Sequence, residues 1–243
     1  MWRRYFSNIY VLALPERRSY IEGVMAALGV PDPMYVHSSF RADYPVSSAS
    51  HAPYHDPFVM GMGDYRTWAG HVTAMNDFLA SNGSRMLIFE DDIEAADAFT
   101  PDRLSLMQHV PTSGIVYLGR CWSHCWLDTP VVPGIVRTRK SSCMHAVSLS
   151  RSAARKFVTM PPYAAADDIL QDIVALDLIP AYAFQPGLFF QNQTRFHTTS
   201  AEPRPDRITR DCKLNYIPLL LYIVVAVLCT AIAYMLRLIL SVK

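Results

Sequence analysis

Charged side chains make up only 18% of the 243 residues, and 22 Lys and Arg nearly cancel 21 Asp and Glu, leaving a formal net charge of +1. A general nucleic-acid binder needs a basic surplus to neutralise phosphates, so that class is excluded. Glycine is scarce too, at 10 residues, which excludes a collagen-like repeat, and an apolar content of 51% excludes a disordered chain. Cysteine is limited to five, an odd number, with Cys229 inside an apolar run. No disulfide framework is expected from that count, and buried thiols in a reducing compartment are the simpler expectation. Cys121, His124 and Cys125 precede Cys143 and His145 at a distance that resembles zinc-ligand spacing, but Cys-x-x-x-Cys and Cys-x-His fit no strong zinc pattern. A secretory signal is not expected either. The basic start Met1-Trp2-Arg3-Arg4 leads into an apolar run that holds Ser7 and Asn8 and is cut short by Pro15-Glu16-Arg17-Arg18.

The apolar surplus is concentrated in Tyr216 to Leu236, an uncharged stretch in which only Pro218 and Thr230 fall outside the apolar set. Without it the apolar fraction drops to about 47%, an ordinary globular value. A helix of that length covers a bilayer core of about 30 Å. Four expected segments follow: a catalytic-size domain over 1–205, a basic linker over 206–215, a transmembrane helix over 216–236 and a short tail over 237–243. Arg204, Arg207, Arg210 and Lys213 precede the run and only Arg237 and Lys243 follow it, so the charges place the head on the cytosolic side of a single-pass C-terminal anchor.

In the head, short apolar runs alternate with helical patterns, the signature of an α/β fold with a mostly parallel sheet. A first strand is predicted over Asn8 to Leu14. Pro15 then opens a helix whose apolar members Ile21, Val24, Met25 and Leu28 recur at helical steps until Gly29. Val36 to Phe40 reads as a possible second strand, and Arg41 to Met62, rich in Pro, Ser, His and Tyr, as a long loop. Loops of that length in compact domains are usually functional or disordered. Trp68, Val72, Met75 and Leu79 mark one face of a helix from about Asp64 to Ser81, ended by Asn82-Gly83. Met86-Leu87-Ile88-Phe89 is a buried strand that runs straight into Glu90-Asp91-Asp92.

Four apolar strand residues followed at once by three acids place carboxylates at the carboxyl end of a central strand, where open α/β sheets bind ligands. Adjacent carboxylates repel unless a cation or a donor sits among them. A hard divalent ion holding a diphosphate resolves that conflict, since Mg²⁺ or Mn²⁺ takes oxygen ligands and leaves positions for phosphate oxygens. A solvated acidic loop is the competing reading of the same triplet.

Four blocks, in order, resemble the glycosyltransferase family that contains the lipooligosaccharide and procollagen galactosyltransferases, family 25. Ile9-Tyr10-Val11-Leu12-Ala13-Leu14-Pro15-Glu16-Arg17-Arg18 is similar to its opening strand and turn, and Gly63-Asp64-Tyr65-Arg66-Thr67-Trp68-Ala69-Gly70-His71 to its next helix start. Leu87-Ile88-Phe89-Glu90-Asp91-Asp92-Ile93 resembles its Leu-Glu-Asp-Asp-Val strand. His145-Ala146-Val147-Ser148-Leu149-Ser150, with Ala153-Ala154, resembles its Ala-Tyr-x-x-Ser segment, and Ala166-Asp167-Asp168-Ile169-Leu170 the acidic segment after it. The chain departs from the family pattern at Asp64, Thr67, Gly70 and Val147.

The resemblance implies a nucleotide-diphospho-sugar transferase (GT-A-like) fold and an inverting, metal-dependent transfer of a hexose, galactose by family, from a UDP-sugar to a hydroxyl of a glycan, glycolipid or glycoprotein. It implies Mn²⁺ or Mg²⁺ on Asp92, helped by Asp91, with Glu90 and Asp91 orienting ribose and metal-bound water. Leu14, Pro15, Arg17 and Arg18 would line the diphosphate at a strand end and helix start. The acceptor hydroxyl needs a base, and Asp167 is the first candidate, followed by Asp168; capping of their own helix is the alternative for both. His71 is the other titratable candidate, against a plain buried histidine. Two further classes remain open on the sequence: another metal-dependent phosphoryl-handling enzyme, such as a nucleotidyltransferase or hydrolase, and a non-catalytic, membrane-anchored module that binds sugar nucleotides.

Overall fold

The computed structural model describes residues 1–37, 62–121, 123–192, 195–196, 225 and 227–229. The chain divides into two compact units, Met1–Cys212 and Lys213–Lys243. The long loop expected over Arg41 to Met62, apart from its last residue, and the linker over 206–215 lie outside the described residues.

An eight-stranded sheet organises the first unit, in the order β2-β1-β3-β8-β5-β9-β7-β6. Its strands are β1 (Asn8–Ala13), β2 (Met34–His37), β3 (Arg85–Glu90), β5 (Ile115–Cys121), β6 (Thr129–Val132), β7 (Ile135–Thr138), β8 (Ser142–Ser150) and β9 (Ala181–Phe184). β1 runs parallel to β2 and β3, β9 runs parallel to β5, and β8 is antiparallel to both β3 and β5. β7 is antiparallel to β9 and β6 to β7. Six of the eight strands therefore point one way, with β8 and β7 reversed. The expected mixed α/β architecture is present, with the reversals as the feature that periodicity did not carry.

Both faces of the sheet are covered, and the alternation of side chains says which residue faces which layer. Tyr10, Leu12, Met86, Ile88, Ile115, Tyr117, Val147 and Leu149 join one core with α2 (Met62–Ala80), α4 (Arg151–Val158) and α5 (Ala166–Ala175). Ile9, Val11, Leu87, Phe89, Val116 and Leu118 join the other with Trp2, Phe6, α1 (Arg18–Ala27) and Leu104 of α3 (Pro101–Ser105). The first helix starts with a 3-10 turn, Pro15–Arg17, where proline's missing N–H costs nothing. β2 ends at His37, so the later half of the expected second strand lies outside the described residues.

Immediately after the acids the chain forms β4 (Ile93–Ala95), which pairs antiparallel with β10 (Phe189–Gln191). An aromatic cluster fixes this small sheet beneath the end of β3. Phe89 and Phe189 meet edge to face at 5.1 Å, and Trp2 stacks on Phe99 at 5.9 Å while donating from Nε1 to Leu28 O at 3.0 Å. Pairs of this kind contribute about 0.5–1.5 kcal/mol beyond the area they bury.

Two expectations are corrected here. No helix among the described residues is long and apolar enough to cross a membrane, so the single-pass anchor, and the cytosolic head that depended on it, are not carried forward. Spanning takes about 20 consecutive apolar helical residues. The longest described helix, α2, has 19 and carries Asp64, Arg66, His71 and Asp77. Of 216–236, the structure describes Val225, Val227, Leu228 and Cys229 as helical and exposed, and the rest lies outside the described residues. Cys121 and Cys143 are not separate thiols either: they form a disulfide between β5 and β8, with Cα atoms 5.5 Å apart.

Candidate active site

Strand register brings the candidate residues together. Leu12 of β1 is level with Glu90 of β3, which sets Leu14 beside the acids one pleat further on. The Leu14 N–H donates to Asp91 Oδ2 at 2.6 Å, and Arg17 Nη1 donates to Asp91 Oδ1 at 3.0 Å. Both oxygens of Asp91 are thus held by the β1–α1 turn. Burial pushes the Asp91 carboxyl above its ordinary value, with those two contacts opposing.

Glu90 is held from the other side. His71 of α2, fully buried, lies with Nε2 3.0 Å from Glu90 Oε1, and Gln191 Nε2 is 3.4 Å from Oε2. Burial alone would raise Glu90, but the His71 hydrogen bond and charge, joined by His145 and Gln191, hold it below the usual carboxylate range. His145 arrives because Ala146 of β8 is level with both Phe89 and Gly119. Its Nε2 also lies 3.2 Å from the Phe189 carbonyl. A Cβ on Gly119 would come within 2.3 Å of His145 Nε2 and 2.5 Å of Phe189 O. Gly119→Ala should therefore displace His145 and β10 together, at a cost of about 1–3 kcal/mol in stability read by urea denaturation.

Asp92 is the acid left over. Its Oδ1 is buried and has no hydrogen-bond partner among the described residues, while its main-chain carbonyl accepts from the Asn192 N–H at 2.7 Å. Burial raises its carboxyl to about 7, with the charges of Glu90 and Asp91 adding and Arg17 opposing. A buried carboxylate oxygen without a donor is what a hard cation relieves. Among the described residues no group of three or more His, Cys, Asp or Glu forms a ready metal cage. One carboxylate completed by substrate phosphates and water is a common arrangement for Mg²⁺, so the donor set fits a cation that arrives with a diphosphate.

Asp167 and Asp168 occupy the first turn of α5, whose N-cap, Ala165, has no capping side chain. Asp167 accepts from its own amide and from that of Cys143, so the capping reading of this residue is realised in part. It nonetheless belongs electrically to the acid site. Burial raises it to about 6, with the charges of Asp168 and Glu90 adding. Asp168 is exposed, and Asp172 accepts from the Tyr163 hydroxyl at 2.9 Å. Arg18 is not brought to Asp91: it pairs with Glu22 at 2.5 Å and lies over the Tyr35 ring. Pro15 is exposed beside Leu14.

Four participants were not singled out for this site from the sequence: His145 in this role, Gln191, Asn192 and Arg120. Arg120, fully buried at the end of β5, lies 2.8 Å from Asp128, also buried, but without the alignment of a hydrogen bond. Its charge and that of Asp167 both act on the buried Tyr117 phenol, which burial raises far above its ordinary value. Asp128→Asn would leave the guanidinium uncompensated and should cost about 3–5 kcal/mol in a urea melt, more than removal of an exposed pair.

No protein-family model matches the sequence, and no curated protein matches it either. Solved structures with a similar arrangement include A197 from STIV, at 7% identity and TM-score 0.44, covering 74% of this chain and 81% of that one. A UDP-glucose pyrophosphorylase complexed with UDP-glucose matches at 10% identity and TM-score 0.41, covering 73% and 72%. A nucleoside-diphosphate-sugar pyrophosphorylase from Vibrio cholerae RC9 matches at 11% and 0.37, covering 75% of each. These scores are low, and no residue role is taken from them.

Proposed function

We propose that the chain is a metal-dependent glycosyltransferase that moves a hexose from a nucleoside-diphosphate sugar, with UDP-galactose the favoured donor, to a hydroxyl of a glycan or glycoconjugate. The observation that carries this reading is the partition of the three acids. Asp91 is fixed by Leu14 and Arg17, Glu90 by His71 and Gln191, and Asp92 keeps a buried oxygen without a donor. The family 25 resemblance of residues 9–18, 63–71, 87–93 and 145–170 supports the same reading.

In this reading Asp92 holds Mn²⁺ or Mg²⁺ together with the donor's phosphates, and the ion when bound offsets the charge that builds on the departing diphosphate. Arg17, with its guanidinium already oriented by Asp91, lies at the same strand end and adds a fixed cation. Glu90, kept ionised by His71, is a rigid acceptor for donor hydroxyls. Asp167, on a separate element but within electrostatic reach of Glu90, takes the acceptor proton; its raised affinity for protons suits a base working near neutral pH.

The test is a panel of UDP-, GDP- and ADP-hexoses incubated with the full chain and Mn²⁺, scored for free nucleoside diphosphate and for new glycoside by mass. Release of nucleoside diphosphate from one donor, lost with chelator, supports the reading. Consumption of pyrophosphate with formation of a nucleoside triphosphate would assign the nucleotidyltransferase class instead, and no turnover or binding of any donor would overturn the enzyme reading.

A further inference from the structure

Beside the acids the chain carries a second array, of which the sugar-transfer reading uses only Arg17. The Tyr20 and Phe196 rings meet edge to face at 4.8 Å. The Arg17 guanidinium lies 4.8 Å from the Phe196 centroid, and the Arg195 guanidinium 4.4 Å from Tyr20 and 5.7 Å from Phe196. Two cations thus share two aromatic faces. Stacking of this kind limits the freedom of a guanidinium while leaving its N–H groups available.

The array is tied to the acid strand by its own backbone. Asn192 N–H donates to the Asp92 carbonyl, and Asn192 Nδ2 to Glu94. The Arg195 N–H returns to Asn192 Oδ1 at 2.9 Å, and the Phe196 N–H to the Asn192 carbonyl at 3.1 Å. Tyr20 closes the ring, its hydroxyl donating to the Ile93 carbonyl at 3.1 Å. The Tyr20 phenol, raised to about 12 by burial first, responds to the charges of both Arg195 and Asp92, so these two lie within electrostatic reach of one group. Arg195 is exposed and makes no ion pair among the described residues.

We infer that Arg195, held by Asn192, Tyr20 and Phe196, is the second cationic contact for the diphosphate of the donor, opposite or beside Arg17, and that it reads the outer phosphate. The inference rests on the nucleoside-diphosphate-sugar reading above. The donor's diphosphate carries two negative charges and the nucleoside diphosphate that departs carries about one more, so one divalent ion leaves a negative charge on the leaving group, which the guanidiniums of Arg17, oriented by Asp91, and Arg195, stacked on Tyr20 and Phe196, are placed to meet. A monophosphate has no outer phosphate for Arg195 to contact. Charge-assisted contacts of this type are the strong ones, and Arg donates in pairs where Lys is a point charge.

The experiment is titration calorimetry of the full chain with UDP, GDP, UMP and GMP in Mg²⁺ buffer, on wild type, Arg195→Gln and Arg195→Lys, each first checked for an unchanged thermal melt. The expected result is a diphosphate affinity weakened about tenfold or more in Arg195→Gln, an intermediate loss in Arg195→Lys, and monophosphate affinity held within about twofold. Equal loss for di- and monophosphate, or no loss for either while wild type binds the diphosphate, overturns this inference alone. A wild-type chain that binds none of the four nucleotides overturns the donor reading and this inference with it. Should Arg195→Gln unfold the chain, Arg195→Lys reads the same ratio.

Discussion

Asp92→Asn is expected to lower metal-dependent donor turnover by about 10²–10³-fold while making the metal-free protein more stable at pH 8. Asparagine keeps the shape and removes the charge. The buried Asp92 carboxyl titrates at about 7, against an ordinary value near 4 in an unfolded chain. Between those two values the folded state binds more protons than the unfolded state, so stability falls as pH rises from about 4 to about 7 and stays reduced above that. The Asn variant lacks this slope. Thermal melts from pH 4 to 8 in chelator should show wild type losing ground to Asp92→Asn as pH rises. Mn²⁺ or Mg²⁺ with UDP should then raise the wild-type melting temperature and leave the variant unmoved. A variant that is less stable than wild type at pH 8, or that keeps its donor turnover, would remove Asp92 from the metal site.

That opposition between stability and turnover is typical of sites where buried charge is kept for chemistry. The surrounding acids are held differently. Asp91 and Glu90 are satisfied, and each is held in place by an element distant in sequence: the β1–α1 turn, α2 and β10. Of the three acids, Asp92 alone is left with a buried oxygen that nothing in the described fold answers.

The strand that delivers these acids was legible because four apolar residues followed by three carboxylates need only local pattern, and β3 spans Arg85–Glu90 as that pattern predicts. The helix carrying His71 was legible for the same reason. Which acid would be free was not legible in the pattern, and only the family resemblance pointed to Asp92. It depends on the pairing of Leu12 with Glu90, a contact between residues far apart in the chain that no window of sequence contains. The reversed strand β8 was equally hidden, since a strand pattern such as Met144 to Leu149 reads alike in either direction, yet the reversal is what carries His145 to Glu90. The Arg195 array required β10 to pair with β4, and the Cys121–Cys143 link required β5 and β8 to be neighbours. An odd cysteine count argues against a framework and says nothing about individual bridges, yet Cys125 as well as Cys121 and Cys143 is disulfide-bonded. The apolar stretch 216–236 was the strongest compositional signal, and the described residues contain no membrane-spanning helix.

Asp167→Asn is the second substitution expected to have a large effect, a fall in kcat of about 10²–10⁴-fold with little change in donor KM, because a base acts in the transition state and not in donor binding. The wild-type rate should rise with pH through about 6, the value to which burial, then Asp168 and Glu90, bring the Asp167 carboxyl. Asp168→Asn separates a base from a helix cap. Removing that neighbouring charge should lower the Asp167 value and move the acid limb of the kcat profile to lower pH, with the plateau nearly intact. A cap alone would respond differently, with both variants altering the melt and neither moving the limb. The stability sign agrees with the raised value: in the folded state the protonated form is favoured, so wild type loses stability from about pH 4 through about pH 6 relative to Asp167→Asn, partly offset by the two amides that the carboxylate accepts. Turnover measured at six pH values from 5 to 8 on the three proteins decides it. A limb that stays in place in Asp168→Asn, or an Asp167→Asn variant with ordinary kcat, would assign the proton to another group and return Asp167 to the role of cap.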